Sequence, residues 1–114
     1  MSLCDRLSQA LAERLEEGGL RPAQAAFPPL GLEAPWTAFR LNLRGHEVSG
    51  EISIWAHSQA QRAEQERALD TLLPQEGVIL LLGEGRAALW PGERRETGTA
   101  ELCGLTVQIE GFAY

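Results

Sequence analysis

A chain of 114 residues has room for one hydrophobic core, so residues 1–114 are expected to form a single domain. Its 44% apolar and 23% charged residues are an ordinary globular composition and argue against disorder, and no apolar run nears the roughly 18 residues that cross a bilayer. Sixteen acidic residues stand against ten basic ones, all of them arginine. The formal charge of −6 therefore disfavours a phosphate-binding surface, and no nucleic-acid partner is expected. Asp5 and Arg6 stand where a secretory leader would carry its basic and apolar regions, so the protein is expected to stay in the cytoplasm.

The first element is announced by Ser2 and Asp5, an S-x-x-D capping box, followed by Leu3, Leu7, Leu11 and Leu15 at helical spacing. Gly18 and Gly19 end that helix. Residues 20–35 hold four of the six prolines and read as an extended connection, with Phe27, Leu30 and Leu32 apolar enough to lie on the core. From Trp36 the pattern alternates: Phe39, Leu41 and Leu43 face one way, Ala38, Arg40 and Asn42 the other. Gly45 turns the chain into a second strand, in which Val48, Ile52 and Ile54 alternate with Ser49, Glu51, Ser53 and Trp55.

Ser58 and Gln61 open a second helix that runs to Leu73 before Pro74. Its first half is polar and alanine-rich, so only its second half can anchor by burial. Val78–Leu82 predicts a third strand, and Gly83-Glu84-Gly85 a hairpin turn into a fourth at Arg86–Trp90. Residues 92–98 read as a charged loop. A last strand alternates Leu105, Val107 and Ile109 with Thr106, Gln108 and Glu110, and Phe112 and Tyr114 follow. The order α-β-β-α-β-β-β, joined by hairpins, predicts an α+β fold with a mostly antiparallel sheet of about five strands and two helices.

No chemistry stands out. Cys4, His46, His57 and Cys103 match a zinc set by count, but no C-x-x-C or H-x-x-x-H spacing exists, so no metal is expected. Cys103 lies among apolar neighbours, where cysteine serves as a small hydrophobe, and both cysteines are expected as free thiols. Gly83-Glu84-Gly85 lacks the lysine and following helix of a phosphate loop. No catalytic or cofactor-binding residue is assigned, and function is expected to reside in surfaces. Trp55, in phase with the polar residues of its strand, is either covered by a second layer or held for a partner. Tryptophan and arginine are enriched at interface centres, which makes Trp55, Arg62, Arg67, Arg94 and Arg95 the candidate interface residues.

Three passages carry a resemblance: FPPLGLEAPWTAFRLNLRG, in which a proline-bearing segment leads through an aromatic into a strand; EISIWAHSQAQRAEQERALDTLL, a strand running into a helix through a short polar joint; and RRETGTAELCGLTVQIEGFAY, a charged loop before an alternating strand. In this order, after an amphipathic N-terminal helix, they resemble the tail terminator and tail completion proteins of long-tailed phages, especially the lambda-type terminator. The resemblance implies a structural virion subunit without an active site, assembled in the host cytoplasm. It would form a homo-hexameric ring that caps the tail tube and joins it to the head connector. The alternative is a non-enzymatic cytoplasmic adaptor domain, dimeric through a sheet edge.

Overall fold

A computed structural model of the chain describes residues 2–20, 22–23, 35–98 and 102–114. Helix α1 spans Leu3–Glu17, and its capping box is present as read: the Ser2 hydroxyl accepts from the Asp5 amide at 3.1 Å, and the Asp5 carboxylate accepts from the Ser2 amide at 3.2 Å. Hydrogen bonding from Ser2 to the Asp5 carboxyl, from the side chain first and the amide second, holds that carboxyl below its ordinary pKa. Leu7, Leu11 and Leu15 are buried, as one face of a 3.6-residue period requires. Gly19, at φ +86°, then reverses the chain, and the Leu20 amide returns to the Leu15 carbonyl.

The two-residue β1 (Pro22–Ala23) pairs in parallel with β2 (Trp36–Arg44), which forms a hairpin with β3 (Glu47–Ala56). The connection read over residues 20–35 lies largely outside the described residues, including Phe27, Leu30 and Leu32. Helix α2 (Gln59–Leu72), capped by the Ser58 hydroxyl on the Gln61 amide, leads from β3 to β4 (Val78–Leu81). From there β5 (Arg86–Gly98) and β6 (Cys103–Ala113) fold back until β6 pairs with β3. The sheet order is β1-β2-β3-β6-β5-β4. The protein is an α+β fold: among the described residues, two helices and a curled sheet of five antiparallel strands, in the order α-β-β-α-β-β-β, with β1 added at one edge.

The core forms on one sheet face. Register places Ile52 beside Val107 and Ile54 beside Leu105, and these join Leu7, Leu11, Leu15, Leu69, Leu73, Leu80 and Leu89 in one cluster. Both helices contribute to that cluster, so both lie on this inner face. The outer face carries the alternate residues, from Arg40 and Glu51 in the middle to Ile79 and Phe112 at one end.

The sequence reading fails at residues 92–98. They are not a loop: β5 continues to Gly98, pairing Arg94 with Val107, Arg95 with Thr106 and Glu96 with Leu105. Between Pro91 and Arg94 the register slips, since three steps on β5 match two on β6, from Ile109 to Val107. One extra residue is a β-bulge, and it reverses which side chains face inward. Pro91 is tolerated inside a strand because its missing amide points past the start of β4, where nothing accepts it.

Because Leu11 is 2% exposed at the centre of α1, Leu11→Ala is expected to destabilise the fold by about 2–5 kcal/mol in a denaturant melt. A loss under about 0.5 kcal/mol would mean that this face is not packed.

Candidate functional site

The bulge decides where the candidate arginines go. Arg94, turned to the inner side, reaches α2 and donates to Glu66 at 3.0 Å and to Asp70. Those two carboxylates sit four residues apart on one helix face, a spacing that a planar guanidinium fork can bridge. The hydrogen bond to Asp70 chiefly raises the Arg94 pKa above its ordinary value, so this stabilising charge is complete at neutral pH and lost only in strong alkali. Two residues on, Glu96 pairs with Arg62 at 3.0 Å; the Arg62 side chain is 13% exposed and that of Glu96 77%. At the other end of α2, the Arg14 side chain of α1 donates to the Leu72 carbonyl at 2.8 Å, satisfying a terminal helix acceptor.

These contacts revise the reading of Arg62 and Arg94 as candidate interface residues, the latter on a charged loop. Arg94 and Arg62 are tied within the chain, because α2 needs them. Its only buried residue is Leu69, with Ala68 and Leu72 partly buried, so apolar burial alone holds it weakly. Arg67 is exposed on α2, and Arg95 is exposed on the outer sheet face opposite Thr106. Trp55 is half-buried on that same face, its ring against Gly104, where a Cβ would lie 2.9 Å from the indole. The five candidates thus divide: Trp55 and Arg95 share the outer face, Arg62 and Arg94 fasten α2, and Arg67 stands apart.

At the opposite end of the outer face lies a second surface. Trp90 and Phe112 sit with ring centroids 5.8 Å apart and planes at 49°, and Ala88 lies between Phe112 and Ile79 in the ladder. Ile79 is 65% exposed, Leu81 79% and Phe112 40%. A groove of about 650 Å³ runs beside the aromatic pair, walled on its other side by Asn42, Ser49 and Glu47. Next to it His46 donates through Nδ1 to the Ala113 carbonyl at 2.7 Å, since a carbonyl can only accept, and its ring stacks on Tyr114 at 5.9 Å. The Ala113 amide donates back to the His46 carbonyl at 2.9 Å, pinning the C-terminus to the β2–β3 turn.

This apolar end was missed in sequence because Val78–Leu82 is continuously apolar, so no alternation told its outward residues from its inward ones. The usable signal was in the partner strands, where Trp90 and Phe112 fall out of phase with Leu89 and Ile109. Cys4, His46, His57 and Cys103 stand at four separate places: α1, the β2–β3 turn, the approach to α2 and the start of β6. Among the described residues no three His, Cys, Asp or Glu side chains gather to hold a metal, and no helix is long and apolar enough to cross a membrane. The chain matches no protein-family model and no curated protein.

Arg94→Ala is expected to lower stability by about 1 kcal/mol, the scale of a partly exposed ion-pair network, and Arg94→Glu by more, since it sets three carboxylates together. The loss should appear as faster amide exchange in α2 and shrink at high salt. Unchanged exchange in α2 would show that the helix is held by Leu69 and its neighbours alone.

Proposed function

We propose that this protein is a structural assembly subunit of the phage tail terminator or tail completion type, working in a ring at the end of a tail tube. The observation that carries the reading is the outer sheet face. Two helices cover one side of the sheet, while the other presents Trp90, Phe112, Ile79 and Leu81 beside a groove. Exposed apolar clusters of this kind mark surfaces that other proteins cover. The order of helix, hairpin, helix and alternating last strand is the one on which the resemblance was read, though Arg94–Gly98, read there as a charged loop, belongs to β5.

In this reading the subunit works by shape and contact. A closed ring needs two different, mutually complementary patches on each subunit. The aromatic end of the outer face supplies an apolar patch. The far end, around Trp55 and Arg95, supplies a more polar one on the same face. The tail tube and the head connector would meet the surfaces that ring formation leaves free.

Electron microscopy of the purified protein, with light scattering for mass, tests this: six-fold rings are the expected outcome. Phe112→Asp, at a 40% exposed site, should abolish rings while leaving the melting temperature within a few degrees. Particles without rings at every concentration, monomeric or dimeric, would replace this reading with that of an adaptor domain.

A further inference from the structure

The two edges of the sheet are finished differently. At one edge β1 carries Pro22, which has no amide to offer a further strand. The other edge is β4, whose sequence Val78-Ile79-Leu80-Leu81 has no charge and no proline. Short length is the one common protective device it has.

The hydrogen-bond phase of β4 follows from its turn. The Leu82 amide donates to the Gly85 carbonyl at 2.8 Å, so residues 82 and 85 form a bonded pair. Bonded pairs alternate along an antiparallel ladder, so Leu80 with Ala87 and Val78 with Leu89 are the next two. The pair formed by Arg86 and Tyr114, bonded both ways at 3.1 and 2.8 Å, gives the same phase from the β6 side. Ile79 and Leu81 therefore aim their amides and carbonyls away from β5, at the edge that no described strand pairs. The same two residues have side chains on the outer face, 65% and 79% exposed. Gly77 and Gly83, at φ +87° and +82°, turn the chain away at either end and leave this edge unobstructed by its own strand.

We infer that β4 is a docking edge for a second copy of this chain, joined antiparallel about a two-fold axis at Leu80. In that register Ile79 of one copy faces Leu81 of the other. Both residues have outward backbone groups, so the two pairs exchange four hydrogen bonds. Their side chains meet on the outer face as a four-residue apolar cluster, continuous with Ala88 and Phe112 of each sheet. Any antiparallel strand is complementary to itself, but here the residues with free backbone groups are also those with exposed apolar side chains. Parity permits both to be satisfied in one register. A second copy is the occupant because this fit needs no other sequence. The contact is small, below about 1,200 Å² in total, and so sets a concentration-dependent dimer rather than an obligate one.

This inference does not rest on the ring reading. An isologous contact on every subunit of a ring would join two rings face to face, and without rings it gives a simple dimer. Sedimentation equilibrium and amide exchange of the full chain test it. The expected result is a concentration-dependent doubling of mass, of monomers or of rings, with the Ile79 and Leu81 amides becoming protected as the doubling occurs. Leu81→Arg should abolish the doubling and that protection without unfolding the subunit, since the side chain is already in solvent. Glu64→Arg, on the exposed side of α2, should change neither. The inference is overturned if no doubling occurs up to the solubility limit, if doubling survives Leu81→Arg, or if the two amides exchange freely in the doubled species. Rings that never pair would sink the β4 contact alone; paired subunits that never form rings would sink the ring reading alone.

Discussion

Both helices of the described residues lie on one face of the sheet, and most of the molecule's character follows from how they cover it. Helix α1 has a full leucine stripe and settles by burial. Helix α2 must carry the chain from β3 to β4, at the far edge, while burying little beyond Leu69. Its attachment is therefore shared between apolar contact and charge. Arg62, Arg94 and the Arg14 side chain each fix a different stretch of it. An acidic chain whose basic residues are all arginine suits this arrangement, because a guanidinium can bridge two groups at once where an ammonium is a point charge.

The bulge in β5 makes that attachment possible. Were the same residues paired regularly, with no bulge between Pro91 and Arg94, Arg94 would keep the phase of Ala88 and Trp90 and project from the outer face. Glu96 would follow it, and α2 would lose both partners on the sheet. The bulge also separates two functions along one strand. Before it, β5 sends Leu89 into the core and Trp90 to the outer surface; after it, the strand sends Arg94 to the helix and Arg95 outward. One inserted residue thus sets both the grip on α2 and the composition of the outer face.

What could be read from the sequence was what local chemistry fixes. The α1 cap, the leucine period, the Gly45 and Gly83–Gly85 turns and the alternation of β2, β3 and β6 each depend on neighbours within a few residues. The element order and the antiparallel sheet follow from them. What could not be read was the phase of β5 beyond Pro91. Gly92, Glu93, Arg94, Arg95 and Glu96 contain no apolar side chain, and a strand whose inward partners are charges on a helix has no hydrophobic alternation. The same limit hid the ion pairs: Arg94 and Asp70 lie 24 positions apart and meet only through the crossover. Trp55 was placed on the correct face because its neighbours Ile52 and Ile54 fixed the phase locally.

Among the described residues both helices lie on the inner face, and no helix covers the outer one. The face was left polar where it could be, with the Arg40–Glu51 ion pair and the Ser53–Thr106 hydrogen bond across its middle. At the β4 end it was not. Ile79, Leu81, Trp90 and Phe112 could each have been polar without cost to the core, since none of their side chains points into it. A surface that keeps four large apolar side chains where burial does not require them, on an otherwise acidic protein, is accounted for by what covers it. The apolar end of the outer face and the open β4 edge adjoin, so coverage of one by a neighbouring molecule brings that molecule to the other.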